Sequence, residues 1–432
     1  MRPPLPLALA CTLGASWLII PAPIATEAAT PDIPSLEVRR LAGGSLELTF
    51  SSTLWSVPDP TGPWSALPQA TSPHIVAPTP GAPVFYRAAR TDAGVFEQDS
   101  VADWRLTGPF QTHFDLAFAG VPDGIFPPRR EKPYFPGSFS LEASELPLTL
   151  RVRGNSSLQE CPFPKLKLKV SSANRPGTPF EEAREIDIGS HCAEGGSGTV
   201  GRLRDERAAW REGLAYEAMA DLGFTTPRVR RARIEYHDTS APDSEGRTGW
   251  TLRRQALLLE DIEVVAERHS GRALDDEEIA KLENAGFDAR LITGLRLFHA
   301  LIGNWDYALS NNGRNLWNIE VIELPDGLLV PVAGDFDLAS WVTGKQLREA
   351  PHDYRPDLPE AEREAMFRVE SIRSSATQEV YASARGRFLE GRTALETRVN
   401  HAQVDEAGRT LAREHLRVFY LALEALQPLT PR

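Results

Sequence analysis

The chain has 432 residues, 41% hydrophobic and 25% charged, which gives room for one large domain plus a small one and excludes a disordered polymer. A formal net charge of −12 excludes a general nucleic-acid binder. Lys and Arg cluster locally between residues 150 and 170 and again between 228 and 233, and prolines concentrate before residue 140, where they punctuate loops.

The chain starts MRPPLPLALACTLGASWLIIPAPIATEAAT. One Arg, an apolar run from Leu5 to Ile20 and small residues at Ala22, Ala25 and Ala29 predict a secretory signal peptide over 1–29, and hence an exported protein at the periplasm, cell surface or beyond. An uncleaved membrane anchor shares this pattern. A lipid-modified Cys11 fits less well, because the apolar stretch continues past it. No other run of about 20 apolar residues exists, so no membrane span is expected after signal cleavage. Loss of Cys11 leaves Cys161 and Cys192, an even pair whose expected state in an oxidising compartment is a disulfide, with two buried thiols as the alternative. His191 beside Cys192 makes a poor zinc signal, since such a site needs about four ligands.

Residues 30–95 read as a small all-β module. SLEVRRLAGGSLELTF places two alternating runs around Gly43-Gly44, a hairpin signal; Trp55, Trp64 and Tyr86 are its candidate core and VFYRAAR its last strand. This stretch resembles small β modules of exported bacterial proteins, which implies a spacer or adhesive role without chemistry.

Residues 96–432 form the large domain, with a helical C-terminal part. LPLTLRVRG (146–154) and CPFPKLKLKV (161–170) alternate as strands, with Leu166, Leu168 and Val170 toward the core and Lys165, Lys167 and Lys169 on the other face. Residues 203–222 predict a helix stopped by Gly223, followed by the strands RVRRARIEYHD and RRQALLLEDI. Residues 275–302 are mostly helical, LWNIEVIE and LLVPVAG pair around Pro325-Asp326-Gly327, and the remainder is helix-rich. Strands with one helix, then a hairpin, then helices, describe a two-lobed α+β domain.

The hairpin carries the chemistry. Asp306 follows an apolar helix end, and the hairpin returns the chain so that Asp335 and Asp337 approach it. Read as strand residues, Asp335 and Asp337 face the same way. Carboxylates that close share a proton or bind a cation, and Mg²⁺ needs only a few such oxygens together with waters and phosphates. Acids capping turns are the bland alternative, but VPVAGDFDLASWV sets two of them inside an apolar stretch. The lysine strand beside RVRGNSS is a candidate phosphate clamp, a solvated edge being its alternative. No GxxxxGK[ST], GxSxG or HExxH motif occurs.

The order RGNSS, Lys-rich strand, LAYE and LGF, LLLED, GNWD, DFD resembles the CotH-type spore-coat protein kinase family. It is more similar still to exported bacterial relatives of that family, through CPFPKLKLKV, SHC, YHDT, LLLED and the GNWD–DFD core, over residues 145–345. The resemblance implies a divergent, two-lobed protein-kinase-like domain without a Gly-rich loop, using ATP and Mg²⁺ or Mn²⁺ to phosphorylate a protein or small-molecule acceptor. It places the catalytic aspartate at Asp306 and the metal-binding residues at Asp335, Asp337 and Asn315, with Asn311 a rival at five residues after Asp306. It places phosphate contacts at Lys167, with Lys165 and Lys169 as neighbours, and at Arg153. Glu260 opens the interlobe hinge, and the lysine's helix partner is Glu212 or Glu217. NWD replaces H-R-D and DFD replaces D-F-G, so a non-catalytic surface or matrix protein on the same fold, and a metal-dependent hydrolase, stand as alternatives.

Overall fold

The computed structural model divides the chain into two units, residues 1–100 and 101–432. It describes residues 9–11, 36–41, 45–50, 53–57, 65–66, 72–76, 84–89, 94–98, 100–119, 132–141, 144–154, 163–175, 178–190, 207–242, 246, 249–282, 287–309, 316–344 and 349–427. Cys161, Cys192, Asn311 and Asn315 lie outside these residues, as do Gly43-Gly44 and Trp64.

The first unit contains two small antiparallel sheets. One orders β1 (Leu9–Cys11), β7 (Val84–Ala89), β4 (Thr53–Val57) and β5 (Ser65–Ala66); the other orders β2 (Leu36–Arg40), β3 (Leu46–Phe50) and β6 (His74–Val76). The β2–β3 hairpin pairs Leu36 with Phe50 and Arg40 with Leu46, and Leu48 and Tyr86 are buried.

The second unit starts with strands. β8 (Ala102–Gly108) leads through helix α1 (Phe110–Phe118) to β9 (Phe135–Leu141), β10 (Ser144–Val152), β11 (Leu166–Lys169) and β12 (Glu185–Ser190). Helix α2 (Ala208–Asp221) follows, then β13 (Val229–Asp238) and β14 (Thr251–Glu260). These seven strands close into a barrel of order β10-β11-β12-β14-β13-β8-β9, antiparallel except for the parallel β13–β8 pair. Closure leaves no free edge. Alternation fills the interior: Leu150, Leu168, Ile186, Ile188, Ile234 and Leu258 are fully buried, while Lys167 and Lys169 point the other way.

The rest is helical apart from one small sheet. α3 (Ile262–Arg268), β15 (Arg272–Ala273), α4 (Asp276–Lys281) and α5 (Ala289–Ile302) precede the hairpin of β16 (Ile319–Glu323) and β17 (Leu329–Ala333), which β15 joins as a third strand. A short helix α6 (Ser340–Thr343) then leads to α7 (Glu360–Ser375), α8 (Gln378–His401) and α9 (Glu406–Ala425). The unit is thus strand-rich in its N-terminal part and helical in its C-terminal part, with one core running from α2 through α5 to α9 and including Leu214, Phe298, Phe336, Trp341 and Phe419. No helix among the described residues is long and apolar enough to cross a membrane.

Candidate active site

Lys165 links the barrel to the turn after β17. It sits just before β11, where its carbonyl accepts the backbone N–H of Arg153, and it is 7% exposed. Its Nζ donates to Asp335 Oδ1 at 2.6 Å and lies 3.1 Å from Asp337 Oδ2. A lysine this buried stays charged only beside anions, and here two carboxylates supply them.

The two aspartates come together differently from the strand reading. β17 ends at Ala333, and Asp335 takes a left-handed conformation (φ 53°, ψ 59°) that starts a 3₁₀ turn over Phe336–Leu338. Asp335 is therefore a turn residue and Asp337 lies inside the turn, so it is the reversal of the chain rather than strand alternation that brings both carboxylates to Lys165. Asn and Asp are the non-glycine residues that best tolerate such a backbone. Its N–H donates to Tyr216 Oη at 2.9 Å, and the Tyr216 ring packs on Phe336 with centroids 4.7 Å apart.

Tyr216 belongs to α2, one turn after Glu212, and at i,i+4 the two share a helix face. Glu212 is 5% exposed. Burial pushes its carboxyl up to about 8; the Lys165 charge pulls it back down, while Asp337 and Asp335 push it further up. Those influences place Glu212 in the Lys165 cluster. Glu217, its rival, faces the barrel instead and pairs with Arg231 of β13, with Nη2 to Oε2 at 3.0 Å. A third charge on α2, Arg211, holds Asp405 ahead of α9 at 2.8 and 2.6 Å.

Asp306 follows the left-handed Gly303 that ends α5. Its N–H donates to Asn304 Oδ1 at 3.1 Å, Trp317 Nε1 donates to its Oδ1 at 3.0 Å, and Asn318 Nδ2 donates to its Oδ2 at 3.1 Å and to its carbonyl at 2.7 Å. Burial raises its carboxyl; Trp317 and Asn318 oppose the rise, and the nearby charges of Asp335 and Asp337 add to it. Asp306, Asp335 and Asp337 thus share one electrostatic neighbourhood. Sequence reasoning missed Tyr216, Trp317 and Asn318. Asn318 has one signal in hindsight: it is an Asn inside the strand-like run LWNIEVIE, and the structure gives it φ 55°, where Asn is favoured.

The remaining expected residues go elsewhere. Lys167 Nζ binds Asp261 Oδ2 at 2.7 Å and lies 3.3 Å from both Glu185 and Asp187; these anions hold its amine well above the usual lysine range despite burial. Lys169 donates to Glu185 at 2.8 Å and Arg153 pairs with Asp187 at 3.0 Å. Asp261 also caps α3 by accepting the Glu263 N–H at 3.0 Å, so the Lys167 contact anchors the barrel to the start of the helical part. Glu260 ends β14 at the expected junction, but its buried carboxylate is clamped by Arg228 at 2.7 Å and Arg268 at 2.7 Å. Both oxygens are taken, which is a structural role.

Among the described residues no group of three or more His, Cys, Asp and Glu forms a ready-made metal site. Asp335 and Asp337 nonetheless hold one cation, the Lys165 ammonium, between them. Two carboxylates suffice for Mg²⁺ when waters and phosphate oxygens complete its shell.

No protein-family model matches the chain, and no curated protein sequence matches it. Among solved structures it is similar to the Helicobacter pylori proinflammatory kinase CtkA, at TM-score 0.32 and 7% identity over 63% of this chain and 97% of that one. It is also similar to Shewanella oneidensis HipA in the HipA, HipB and operator DNA complex of a toxin–antitoxin system, at TM-score 0.31 and 11% identity over 80% of this chain and 75% of that one. Likeness of this size assigns no activity, and the site is read from its own residues.

Proposed function

We propose that the chain is an exported, divergent kinase-like phosphotransferase that uses ATP and Mg²⁺ or Mn²⁺. The observation that carries this reading is the Lys165 amine held by Asp335 and Asp337, with Glu212 beside the lysine and Asp306 within electrostatic reach of both aspartates. A buried lysine from the barrel, a helix carboxylate and two kinds of aspartate are the parts phosphoryl transfer needs for positioning and charge neutralisation.

In this reading Lys165 binds nucleotide phosphate oxygens, and Glu212 keeps its amine in place when the aspartates turn to a metal. Asp335 and Asp337 would hold that metal, with Asn315 as a further oxygen donor; a divalent ion there supplies neutralisation of phosphate charge. Asp306 accepts the proton of the acceptor hydroxyl. Its raised pKa suits it to that task, and Trp317 and Asn318, one on each oxygen, hold the carboxylate in a fixed orientation. Lys167, already enclosed by three carboxylates, acts in joining the two parts of the domain.

One observation favours a second reading. The Lys165 charge is already neutralised by two carboxylates, as in a polar network kept for folding in a non-catalytic surface protein. Calorimetric titration of the full chain with ATP, with and without MnCl₂, separates the two. Mn²⁺-dependent, saturable ATP binding that Lys165→Met abolishes supports the first. Absence of ATP binding by the folded parent, with or without metal, removes it.

A further inference from the structure

A cavity of about 200 Å³ opens between α5, α7 and α9, with Gly303 and Ser340 in its lining. Leu301, Ala365, Leu411, Val418 and Phe419 give it a largely apolar lining. Four ionisable residues line it too, and three of them are already engaged. Glu364 is buried and its two oxygens accept the N–H groups of Glu349 and Ala350 at 2.8 to 3.1 Å. Glu414 is bound by both arms of Arg417 at 2.9 and 2.8 Å. His415 is neutral near pH 7, since burial and the Arg368 charge lower it to about 4 against the opposing pull of its bond to the Leu301 carbonyl.

Arg368 is the exception. Its side chain is 10% exposed, yet Nε and Nη2 are buried without a hydrogen-bond partner among the described residues. Its ion-pair contact among the described residues is Glu349, 3.2 Å from Nε, and that carboxylate is half exposed and screened by solvent. A guanidinium carries five donors in a planar fork that fits a carboxylate bidentately. Leaving such donors unused inside the protein costs free energy that a matching acceptor recovers.

We infer that this cavity is a binding site for a small amphiphilic carboxylate, its headgroup on Arg368 and its short hydrocarbon chain among Leu301, Leu411, Val418 and Phe419. The volume suits a chain of about six carbons, since an engineered apolar cavity of about 150 Å³ accepts benzene. The site borders the joint that sets the aspartates: Ser340 N and Oγ both donate to the Gly303 carbonyl, at 3.0 and 3.1 Å. Gly303 stands three residues before Asp306, and Ser340 three after Asp337. An occupant therefore braces the joint from behind.

The test is calorimetric titration of the full chain, without nucleotide, with sodium hexanoate, 1-hexanol and hexylamine. Hexanoate is expected to bind saturably and at least tenfold more tightly than either of the others. Arg368→Met is expected to weaken hexanoate at least tenfold while leaving 1-hexanol within twofold. Should Arg368→Met fail to fold, Leu411→Trp, which fills the cavity without touching its charge, is expected to block hexanoate instead. Equal affinity for hexanoate and 1-hexanol in the parent, or hexanoate binding unchanged in either folded variant, overturns the inference. Because no nucleotide enters the experiment, its failure leaves the phosphotransferase reading standing.

Discussion

Lys165 Nζ and Asp335 Oδ1, 170 residues apart in sequence, meet at 2.6 Å and tie the barrel to the turn after β17. The contact is unequal. Lys165 is 9% exposed at its side chain and Asp337 10%, whereas Asp335 is 44% exposed. Removing the lysine therefore leaves Asp337 as a buried carboxylate without its cation, and takes from Glu212 the charge that lowers it. Lys165→Met is expected to destabilise the domain by about 3–5 kcal/mol in urea unfolding. Asp335→Asn is expected to cost clearly less than Asp337→Asn, because solvent already screens Asp335. A loss under about 1 kcal/mol for Lys165→Met would show that the pair is not the joint described.

The two kinds of aspartate are expected to separate by assay. Asp306→Asn keeps one acceptor oxygen for the donors of Trp317 and Asn318, loses the other, and removes the proton acceptor, so transfer should fall by about 10²–10⁴-fold with nucleotide affinity little changed. Asp337→Asn should instead weaken Mn²⁺-dependent nucleotide binding itself. Phosphate transfer to any acceptor, or to the protein, at parental rates in Asp306→Asn would remove its assigned role.

Glu212 gives a pH dependence with a definite sign. Its carboxyl is raised from 4.5 to about 8 in the folded chain by burial, so between those values the folded state holds a proton that the unfolded state has lost. Stability from this group is fully present below about pH 4.5 and is lost as pH rises toward 8. Glu212→Gln should flatten that part of the curve in unfolding measured from pH 5 to 9, and should be the more stable protein at the alkaline end. Parallel curves for parent and variant would mean that Glu212 is ionised throughout.

His415 works in the opposite direction. Burial, helped by Arg368, lowers it to about 4 from 6.5. The unfolded chain therefore binds the extra proton between these values, and stability is full above about pH 6.5 and falls as the solution is acidified. His415→Gln is expected to lose part of the acid sensitivity between pH 6.5 and 4, read from the thermal midpoint. An unaltered acid limb assigns that sensitivity to other groups, with His299, lowered to about 3 by burial, first among them.

Glu260 should behave as a structural residue. Glu260→Gln weakens its contacts to Arg228 and Arg268, and is expected to cost about 1.5–3 kcal/mol of stability. Nucleotide affinity of the folded variant should stay within twofold of the parent. A large selective loss of affinity with stability intact would return Glu260 to the cofactor cleft.

Much of this architecture follows from local pattern. Alternation in KLKLKV alone sends Leu166 and Leu168 inward and puts the lysines on the other face, because strand side chains have period two. Gly327 supplies the positive φ of 80° that the β16–β17 turn needs, and Gly303, at φ 64°, ends α5 where the apolar run stops. The sequence likewise places Asp306, Asp335 and Asp337 around one hairpin, and the alternating runs of SLEVRRLAGGSLELTF predict the pairing of β2 with β3.

What no local pattern decides is which charge meets which. Lys165, Lys167 and Lys169 share one face, and only the closing of the barrel against the helical part gives Lys165 to Asp335 and Asp337, Lys167 to Asp261, and Lys169 to Glu185. Glu212 and Glu217 are five residues apart on one helix; the helix's rotation between barrel and core sends one to the lysine and the other to Arg231. The reversed chain at Asp335 depends on Tyr216, contributed by α2, 119 residues earlier. Periodicity fixes the face of an element because it is a property of the backbone, whereas Coulomb and hydrogen-bond partners act over a few ångströms and are set by whichever distant segment arrives there.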